Sequence, residues 1–398
     1  MIPPPMNSLP PHLPPGVSWI DTPSALAEAI SELGQVRELA IDTEADSYYV
    51  YRVKVCLLQV STRSRDYLID PLAGLDLAPF GALCADPAIR KVLHAASNDV
   101  ALLRMTTGFS FANLFDTMIA AQVLGLRRPG LAALLQERFG VEQKKTFQTS
   151  DWGKRPLSEG QLHYAAADTR YLLPLSDQLG AELEAKGRRE EAAEDFVRLC
   201  VSEQTVRTFD PDGWQRAAGA LDLDPQRIQV VRELFAMRDR IAARRDRAPH
   251  RVFRDEVLVA IARGCPRSRA DLLALPGVVA WQIERELDAV LEAVELGLAA
   301  PPWVRERRRT RSPDSEAPLS ERERRVFEAL REWRRERATQ RDVEESRIAT
   351  TGTLRAIARE SEFTKERLAL LPGMSPFRVR EYGDEIVGVA ARALSAEP

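Results

Sequence analysis

The chain has 398 residues, enough for about two to four domains at roughly 100–200 residues per domain. It contains 56 lysines and arginines against 59 aspartates and glutamates, so its formal net charge is −3. This balance excludes a protein that binds nucleic acid through uniformly basic character, and any nucleic-acid surface must be local. One local excess exists, because residues 237–254 contain seven arginines and only two aspartates.

The cysteines indicate a reducing compartment. Four are present, at positions 56, 84, 200 and 265, and none forms a CxxC pair, which argues against a zinc site or a disulfide framework. We interpret them as buried, reduced thiols and expect a cytoplasmic protein. The N-terminus lacks a basic segment followed by an apolar run, so no signal peptide is expected. No apolar stretch reaches the roughly 18 residues needed to cross a membrane, and no membrane association is predicted.

The first third of the chain predicts a layered α/β domain with a mixed sheet. Seven of the first fifteen residues are prolines, which predicts a disordered lead-in. Short runs of branched and aromatic residues between polar turns predict strands, and the first three favour an antiparallel meander. The predicted strands are Glu38–Asp42, Val53–Val60, Asp66–Asp70, Lys91–Ala95 and Phe111–Phe115, and the predicted helices are Ser24–Leu33, Asp99–Met105 and Thr117–Leu124. Strands that alternate with helices are typical of such layers, and from Leu131 onward the pattern is helical.

The C-terminal half contains an internal repeat. Leu234, Arg238, Leu272 and Gly277 recur 96 positions later, among other matches: they correspond to Leu330, Arg334, Leu368 and Gly373. One offset without gaps indicates two copies of a small all-helical module, whereas a coiled coil would show a seven-residue rhythm. Two prolines at 301 and 302 and the charged stretch Arg305–Pro318 predict a linker between the copies.

Two carboxylates end the first predicted strand. Asp42 and Glu44 are two positions apart, so their side chains point to the same face. They repel each other unless a cation lies between them, and hard divalent cations such as Mg²⁺ prefer such oxygen ligands. The alternative is a polar strand end with solvated acids. A third acid, Asp99, follows Ser97, which is a plausible helix N-cap, and the alternative role of Asp99 is to stabilise that helix start.

A further helix carries a tyrosine and an acid on one face. Ser158 and Gln161 match a capping box, which predicts a helix that begins at Glu159. On that helix Tyr164 and Asp168 are i and i+4 neighbours. A tyrosine hydroxyl beside a metal-binding carboxylate can orient an attacking water. The alternative is a core tyrosine and a surface aspartate.

In this order, Asp-x-Glu, then Asp, then Tyr-x-x-x-Asp resembles the tyrosine subtype of the DEDD exonuclease superfamily. The segments Asp151–Ser158 and Tyr164–Pro174 are similar to those of the ribonuclease D family, as is Phe115–Thr117, in which the resemblance makes Asp116 structural. The helical modules resemble the HRDC domain, although the second copy is divergent and lacks a counterpart of Pro249.

The resemblance implies a fold and a domain order. We expect a ribonuclease H-like 3′-5′ exonuclease domain, with a mixed sheet flanked by helices, followed by two small all-α HRDC domains. The expected boundaries are a lead-in at 1–15, the exonuclease domain at 16–205, a connecting segment at 206–225, HRDC domain 1 at 226–300, a linker at 301–319 and HRDC domain 2 at 320–398.

The resemblance also implies an activity: a 3′-5′ exoribonuclease that releases nucleoside 5′-monophosphates and trims tRNA precursors and other structured RNAs. Asp42, Glu44, Asp99 and Asp168 would hold two divalent ions, Mg²⁺ or Mn²⁺. Tyr164 would position the attacking water, and Glu44 would also contact the terminal 3′-hydroxyl. No histidine is needed as a base, so His94 and His163 are interpreted as structural. The candidate phosphate contacts are Arg244, Arg245, Arg247 and Arg251, and their alternative is a solvated face of mixed charge.

The sequence also bears on three alternative functions. A DNA 3′-5′ exonuclease would use the same acids, because the metal chemistry is the same, and only contacts to the 2′-hydroxyl would separate the two. A catalytically inactive RNA-binding scaffold would need none of the acids. A helicase is excluded because the sequence contains no GxxxxGK[ST] loop. No obligatory protein partner is evident.

Overall fold

The computed structural model describes residues 13–143, 145–201, 209–279, 283–304 and 318–395. Most of the predicted proline-rich lead-in, residues 1–12, and most of the predicted linker, residues 305–317, lie outside the described residues. Within the described ranges, no helix is both long and apolar enough to cross a membrane.

A six-stranded mixed sheet forms the centre of the N-terminal half. Its strands are β1 (Val17–Ile20), β2 (Glu38–Ala45), β3 (Val55–Ser61), β4 (Asp66–Ile69), β5 (Arg90–Leu93) and β6 (Leu114–Asp116). They lie in the order β1-β4-β3-β2-β5-β6. β2, β3 and β4 pair antiparallel, which confirms the predicted meander. β1, β5 and β6 add to it by parallel pairing.

Two strands differ from the prediction. β1 was not predicted, because its four residues are too few to show an alternating pattern, and it depends on parallel pairing with β4 about fifty residues later in the chain. The predicted strand Phe111–Phe115 begins only at Leu114. Asn113 interrupts it with a φ of 50°, a left-handed conformation that does not continue a strand.

Helices cover both faces of the sheet. They are α1 (Pro23–Leu33), α2 (Ala78–Ala85), α3 (Ser97–Thr107), α4 (Thr117–Leu124), α5 (Leu131–Phe139), α6 (Glu159–Arg170), α7 (Leu172–Ala185) and α8 (Arg189–Val201). Leu39 and Ile41 of β2 are fully buried in a core with residues of α1, α2 and α3. Burying such a side chain contributes roughly 1.5–3 kcal/mol. Ala40, between them, belongs to the opposite core with α4 and α7, so position 42 faces that second layer.

The C-terminal half consists of two helical modules. The first helical module contains α9 (Pro225–Arg245), α10 (Pro249–Val252), α11 (Asp255–Gly264), α12 (Arg269–Leu273) and α13 (Leu287–Ala299), and the second contains α14 (Glu321–Arg341), α15 (Glu345–Ile348), α16 (Thr351–Ala358), α17 (Lys365–Leu368) and α18 (Pro376–Ser395). The first four helices of each module begin 96 residues apart, as do the left-handed residues Asp246 and Asp342 that end α9 and α14. The predicted repeat is confirmed.

The predicted connecting segment contributes to the first helical module. Trp214 lies in a short 3₁₀ turn, Gly213–Arg216. It is fully buried in the core of the first module, and its ring packs edge-on against Trp303 with the centroids 5.5 Å apart. This part of the segment is therefore held by the module and does not serve as a free tether.

Both modules contact the sheet domain. The first module meets the loop after β2, where the Tyr51 hydroxyl donates to Asp239 Oδ2 at 2.9 Å and the Ala248 amide donates to the Tyr49 carbonyl at 3.0 Å. The second module meets α8, where Arg341 pairs with Glu191 at 2.6 Å. The loop after β2 continues the strand that carries Asp42 and Glu44, so the first module adjoins the candidate site.

Candidate active site

The end of β2 places two acids beside an open strand edge. Asp42 and Glu44 lie opposite Gln59 and Leu57 of β3. On the other side, β5 pairs only with residues 38–40 of β2, so the edge beyond residue 40 is free. Alternate residues of a strand point to the same face. The side chains of Asp42 and Glu44 therefore point to the same face as that of Ala40, toward the helical layer that contains α6.

α6 supplies the next two candidate residues. Ser158 and Gln161 form the predicted capping box, so the helix begins at Glu159 as expected, and it packs on β2, β3 and β4. Asp42, Glu44 and Asp168 each contribute one carboxylate oxygen to a group of three atoms that lie within 4.8 Å of one another. The structure thus brings together three acids that are far apart in the sequence.

Asp99 approaches the same strand from α3 and is not part of that close triad. It accepts a short hydrogen bond from the Thr43 hydroxyl. The predicted N-cap role of Ser97 is wrong, because Ser97 is the first residue of α3 and the N-cap is Ala96, without a side-chain cap. The reason is that Asp116 Oδ2 accepts the Ala96 amide at 2.8 Å, so the helix start is satisfied from β6.

Burial and mutual repulsion act on all four acids. Burial is the main cause that raises the pKa of Glu44 to about 9, of Asp168 to about 7 and of Asp99 to about 6. The pKa of Asp42 is also well above its ordinary value, first through burial and then through its acidic neighbours. Among the described residues no lysine or arginine forms an ion pair with any of these four carboxylates. Such a cluster can ionise fully only when a cation arrives.

A cavity of about 630 Å³ opens above the acids. Its lining residues are Asp42, His94, Arg128, Gly130, Leu131, Ala132, Ala133, Gln136, Glu142, Gln143, Gln148, Tyr164, Asp168 and Leu172. Gln143 donates a short hydrogen bond to Asp168, and Gln148 bonds to Tyr164. Sequence reasoning missed both glutamines, since they lie in an irregular loop between α5 and α6 without any motif.

The donor set suits a hard divalent cation. Three carboxylates supply only oxygen ligands, which Mg²⁺ and Mn²⁺ prefer. In addition, both polar atoms of the Gln59 side chain are buried without a hydrogen-bond partner, directly across from Asp42 in the register. The residues present therefore fit a divalent ion, and they offer no nitrogen or sulfur set that would suit zinc.

Four of the seven arginines of the 237–254 strip have a partner within the protein. Arg238 is buried and pairs with Asp255 at 2.6 Å, and Arg244 and Arg245 both pair with Glu286. Arg251 stacks on the Tyr49 ring of the sheet domain at 4.3 Å. In contrast, Arg247 is exposed, and its side chain contacts no partner within the described ranges.

His94 and His163 occupy different surroundings. The His94 ring lines the cavity and bonds through Nδ1 to Thr117 Oγ1 at 2.9 Å. His163 lies on α6 with its side chain 54% exposed, 3.8 Å from Glu159. His94 therefore belongs to the site by position, and His163 does not.

Family models match most of the folded chain. A 3′-5′ exonuclease domain model matches residues 17–184, the part that carries the sheet and all five candidate catalytic residues. An HRDC domain model matches twice, at residues 227–294 and 323–389, in the two helical modules.

The chain is similar to several known ribonucleases. The chain is 33% identical to ribonuclease D of Pseudomonas paraeruginosa over 285 residues, which cover 70% of this chain and 74% of the relative. It is 32% identical to the exosome complex exonuclease RRP6 of Saccharomyces cerevisiae, of which it spans only 38%. The solved structure of Escherichia coli RNase D aligns with a TM-score of 0.64 at 26% identity, over 94% of this chain and 99% of that one. The chain therefore belongs to the ribonuclease D family of 3′-5′ exoribonucleases.

Proposed function

We propose that this enzyme removes nucleotides one at a time from the 3′ ends of tRNA precursors and other structured RNAs, and that it releases nucleoside 5′-monophosphates. The observation that carries this proposal is the triad of Asp42, Glu44 and Asp168, whose oxygens lie within 4.8 Å of one another. Two of the three acids, Asp42 and Asp168, line a cavity. The four cysteines are free, as expected for the cytoplasmic location that we also propose.

The acids would hold two divalent ions, Mg²⁺ or Mn²⁺. The ligands would be Asp42, Glu44, Asp99 and Asp168, of which Asp99 is already positioned by Thr43. When bound, two such ions stabilise the charge on the attacking and leaving oxygens of an in-line displacement. Glu44 would also accept a hydrogen bond from the terminal 3′-hydroxyl, which restricts cleavage to chain ends.

Tyr164 would orient the attacking water. Burial and the neighbouring acids raise the pKa of its hydroxyl, so the phenol stays protonated and can serve as a hydrogen-bond donor. Its ring packs between Phe147 and Trp152, with centroids 6.0 and 6.1 Å away. These contacts hold the hydroxyl in place, and holding reactants in place is a large part of the catalytic effect.

The arginines of the first helical module would bind the body of the RNA through its phosphates. Arg247 supports this best because its side chain has no partner among the described residues. The Arg244 side chain is 66% exposed despite its pair with Glu286, so it can still reach a phosphate. Arg245 and Arg251 are also proposed, as secondary contacts. Phosphate contacts position the RNA and carry no sequence information.

The test compares labelled RNA and DNA of one sequence. With Mg²⁺ or Mn²⁺ we expect single-nucleotide shortening of the RNA from its 3′ end, with nucleoside 5′-monophosphate as product, and no shortening in the presence of a chelator. Asp168→Asn, which keeps the side-chain shape, is the inactive control. Faster shortening of the DNA would support the alternative of a DNA exonuclease, and no shortening of either strand would support an inactive RNA-binding scaffold.

A further inference from the structure

His94 is a polar residue of the cavity to which the proposed chemistry gives no role. It follows β5 and lines the same cavity as Asp42. Its Nδ1 atom lies 2.9 Å from Thr117 Oγ1, and that hydroxyl lies 3.1 Å from the Leu93 carbonyl oxygen, to which it donates. A threonine hydroxyl has a single hydrogen. Both bonds exist together only if the His94 Nδ1 atom carries the proton and donates it to Thr117.

The tautomer fixes what the other ring nitrogen can do. In a neutral imidazole with the proton on Nδ1, the Nε2 atom is an acceptor. Burial lowers the pKa of His94 to about 4, so the ring is neutral at physiological pH. Within the described residues, no hydrogen bond involves Nε2 of His94. An unused acceptor therefore belongs to the ring that lines the cavity beside Asp42.

The ligand of this acceptor must bring a hydrogen. An ionised phosphate has none, and the N–H groups of the bases differ from one base to the next. The sugar hydroxyls are donors that all four ribonucleotides share. The terminal 3′-hydroxyl is the one proposed for Glu44, which leaves the ribose 2′-hydroxyl, a group that DNA lacks. An enzyme that removes successive nucleotides of any sequence can use only a shared group.

We propose that His94 Nε2 accepts a hydrogen bond from the 2′-hydroxyl of the terminal nucleotide and thereby favours RNA over DNA; this inference rests on the proposed exoribonuclease function. His94 is then a specificity-determining residue, and Thr117 is the positioning residue that fixes its tautomer. The acids would hold the metal ions that act on the phosphate, which RNA and DNA share, whereas His94 would bind the sugar hydroxyl that distinguishes them.

The test uses the full-length enzyme and two oligoribonucleotides that differ only in the last sugar. One ends in a ribonucleotide and the other in a 2′-deoxynucleotide, and both keep the 3′-hydroxyl. We measure kcat/KM for removal of that last nucleotide by the wild type, His94→Phe and His163→Phe. Phenylalanine keeps a ring of similar shape and removes the acceptor, and His163 is the matched control because it is exposed outside the cavity.

The wild type should prefer the ribonucleotide end by about 5- to 10-fold, the scale of one hydrogen bond. In His94→Phe the preference should fall to about 1, and in His163→Phe it should stay at the wild-type value. A wild-type preference of 1, or an equal loss on both substrates in His94→Phe, would overturn the role of His94 and leave the exoribonuclease function standing. If the wild type removes neither nucleotide with Mg²⁺ or Mn²⁺ present, both proposals fall.

Discussion

Two clusters of buried or half-buried acids lie in the same sheet domain and have opposite surroundings. In the cavity, Asp42, Glu44 and Asp168 converge within 4.8 Å of one another without an arginine or lysine partner among the described residues. On α8, Glu191 and Asp195 are 5% and 7% exposed and receive arginines from the second helical module. The cavity cluster has the composition of a metal-ligand set, whereas the α8 cluster is a charge-paired contact between two parts of the chain.

The α8 cluster joins two parts of the chain. Arg341 pairs with Glu191 at 2.6 Å and Arg347 pairs with Asp195 at 2.5 Å. These arginines are only 14% and 15% exposed, so the charges on both sides are largely removed from water. In addition, Arg188 donates to the Arg341 carbonyl at 2.6 Å. The second module is therefore fixed to the sheet domain by pairs that need no ligand.

The partners of a buried carboxylate indicate whether it has a functional or a structural role. Desolvating an unpaired charge costs several kcal/mol, so it persists only where function needs it or where a partner compensates. The α8 acids have arginine partners, and the cavity acids form the ligand set proposed for divalent ions. Substitutions in the two clusters should therefore have opposite effects on activity and stability.

The largest expected effect is on catalysis in the cavity cluster. Asp42→Ala should lower kcat on a short oligoribonucleotide by roughly 10³-fold or more, as expected for an essential member of a catalytic unit. The metal-free protein should be as stable as the wild type or more stable, because one source of repulsion is gone. Steady-state kinetics and chemical denaturation check both statements. Activity within tenfold of the wild type would contradict the assignment.

The matched substitution in the α8 cluster should do the reverse. Asp195→Ala leaves Arg347 without its closest partner, and breaking a buried pair costs about 3–5 kcal/mol. We expect lower resistance to denaturant and faster hydrogen exchange in α8 and the second module. The kcat on a short oligoribonucleotide should remain near that of the wild type. An unchanged free energy of unfolding would mean that this contact is dispensable.

A smaller catalytic effect is expected from the phenol beside the cavity acids. Tyr164→Phe keeps the ring packing against Phe147 and Trp152 and removes only the hydroxyl. If the hydroxyl orients the attacking water, kcat should fall by about 10²-fold while RNA affinity barely changes. Single-turnover kinetics with a separate binding titration distinguish the two. A normal kcat would make Tyr164 a core residue only.

The unpaired cluster should also make metal-free stability depend on pH. Burial raises the pKa of Asp99, Asp168 and Glu44 to about 6, 7 and 9, so between pH 4 and 9 the folded state binds more protons than the unfolded state. The free energy of unfolding must then decrease as pH rises through that window. Mg²⁺ or Mn²⁺ favours the ionised form and should flatten the slope. Thermal melts with chelator and with metal test this, and identical slopes would contradict it.

The smallest expected effect concerns RNA binding, to which the two helical modules should contribute differently. Arg247→Ala in the first module should reduce the slope of log K against log salt by roughly 0.7–0.9, the value for one phosphate contact. Arg335→Ala in the second module is the matched control, since that side chain is also exposed but pairs with Glu332. Its slope should match that of the wild type. Equal changes in both variants would remove the distinction between the modules.

Elements whose signals are local could be predicted from the amino-acid sequence alone. The capping box of Ser158 and Gln161 set the start of α6, and the 96-residue repeat predicted two modules with equivalent helices. The order and spacing of Asp42, Glu44, Asp99, Tyr164 and Asp168 selected the five candidate residues. These signals can be recognised in the amino-acid sequence because side-chain periodicity and capping depend on residues only a few positions apart.

Which charges are paired depends on how distant segments pack, and the sequence did not predict it. The sequence presents Arg245 and Arg247 as equal members of one basic strip, yet Arg245 pairs with Glu286 and Arg247 has no partner among the described residues. Arg341 and Glu191 are 150 positions apart, and no local pattern predicts their contact. The tautomer of His94 likewise depends on Thr117, 23 positions away. The strength of a charge or hydrogen bond depends on partners and solvent exposure, and both are set when distant segments pack together.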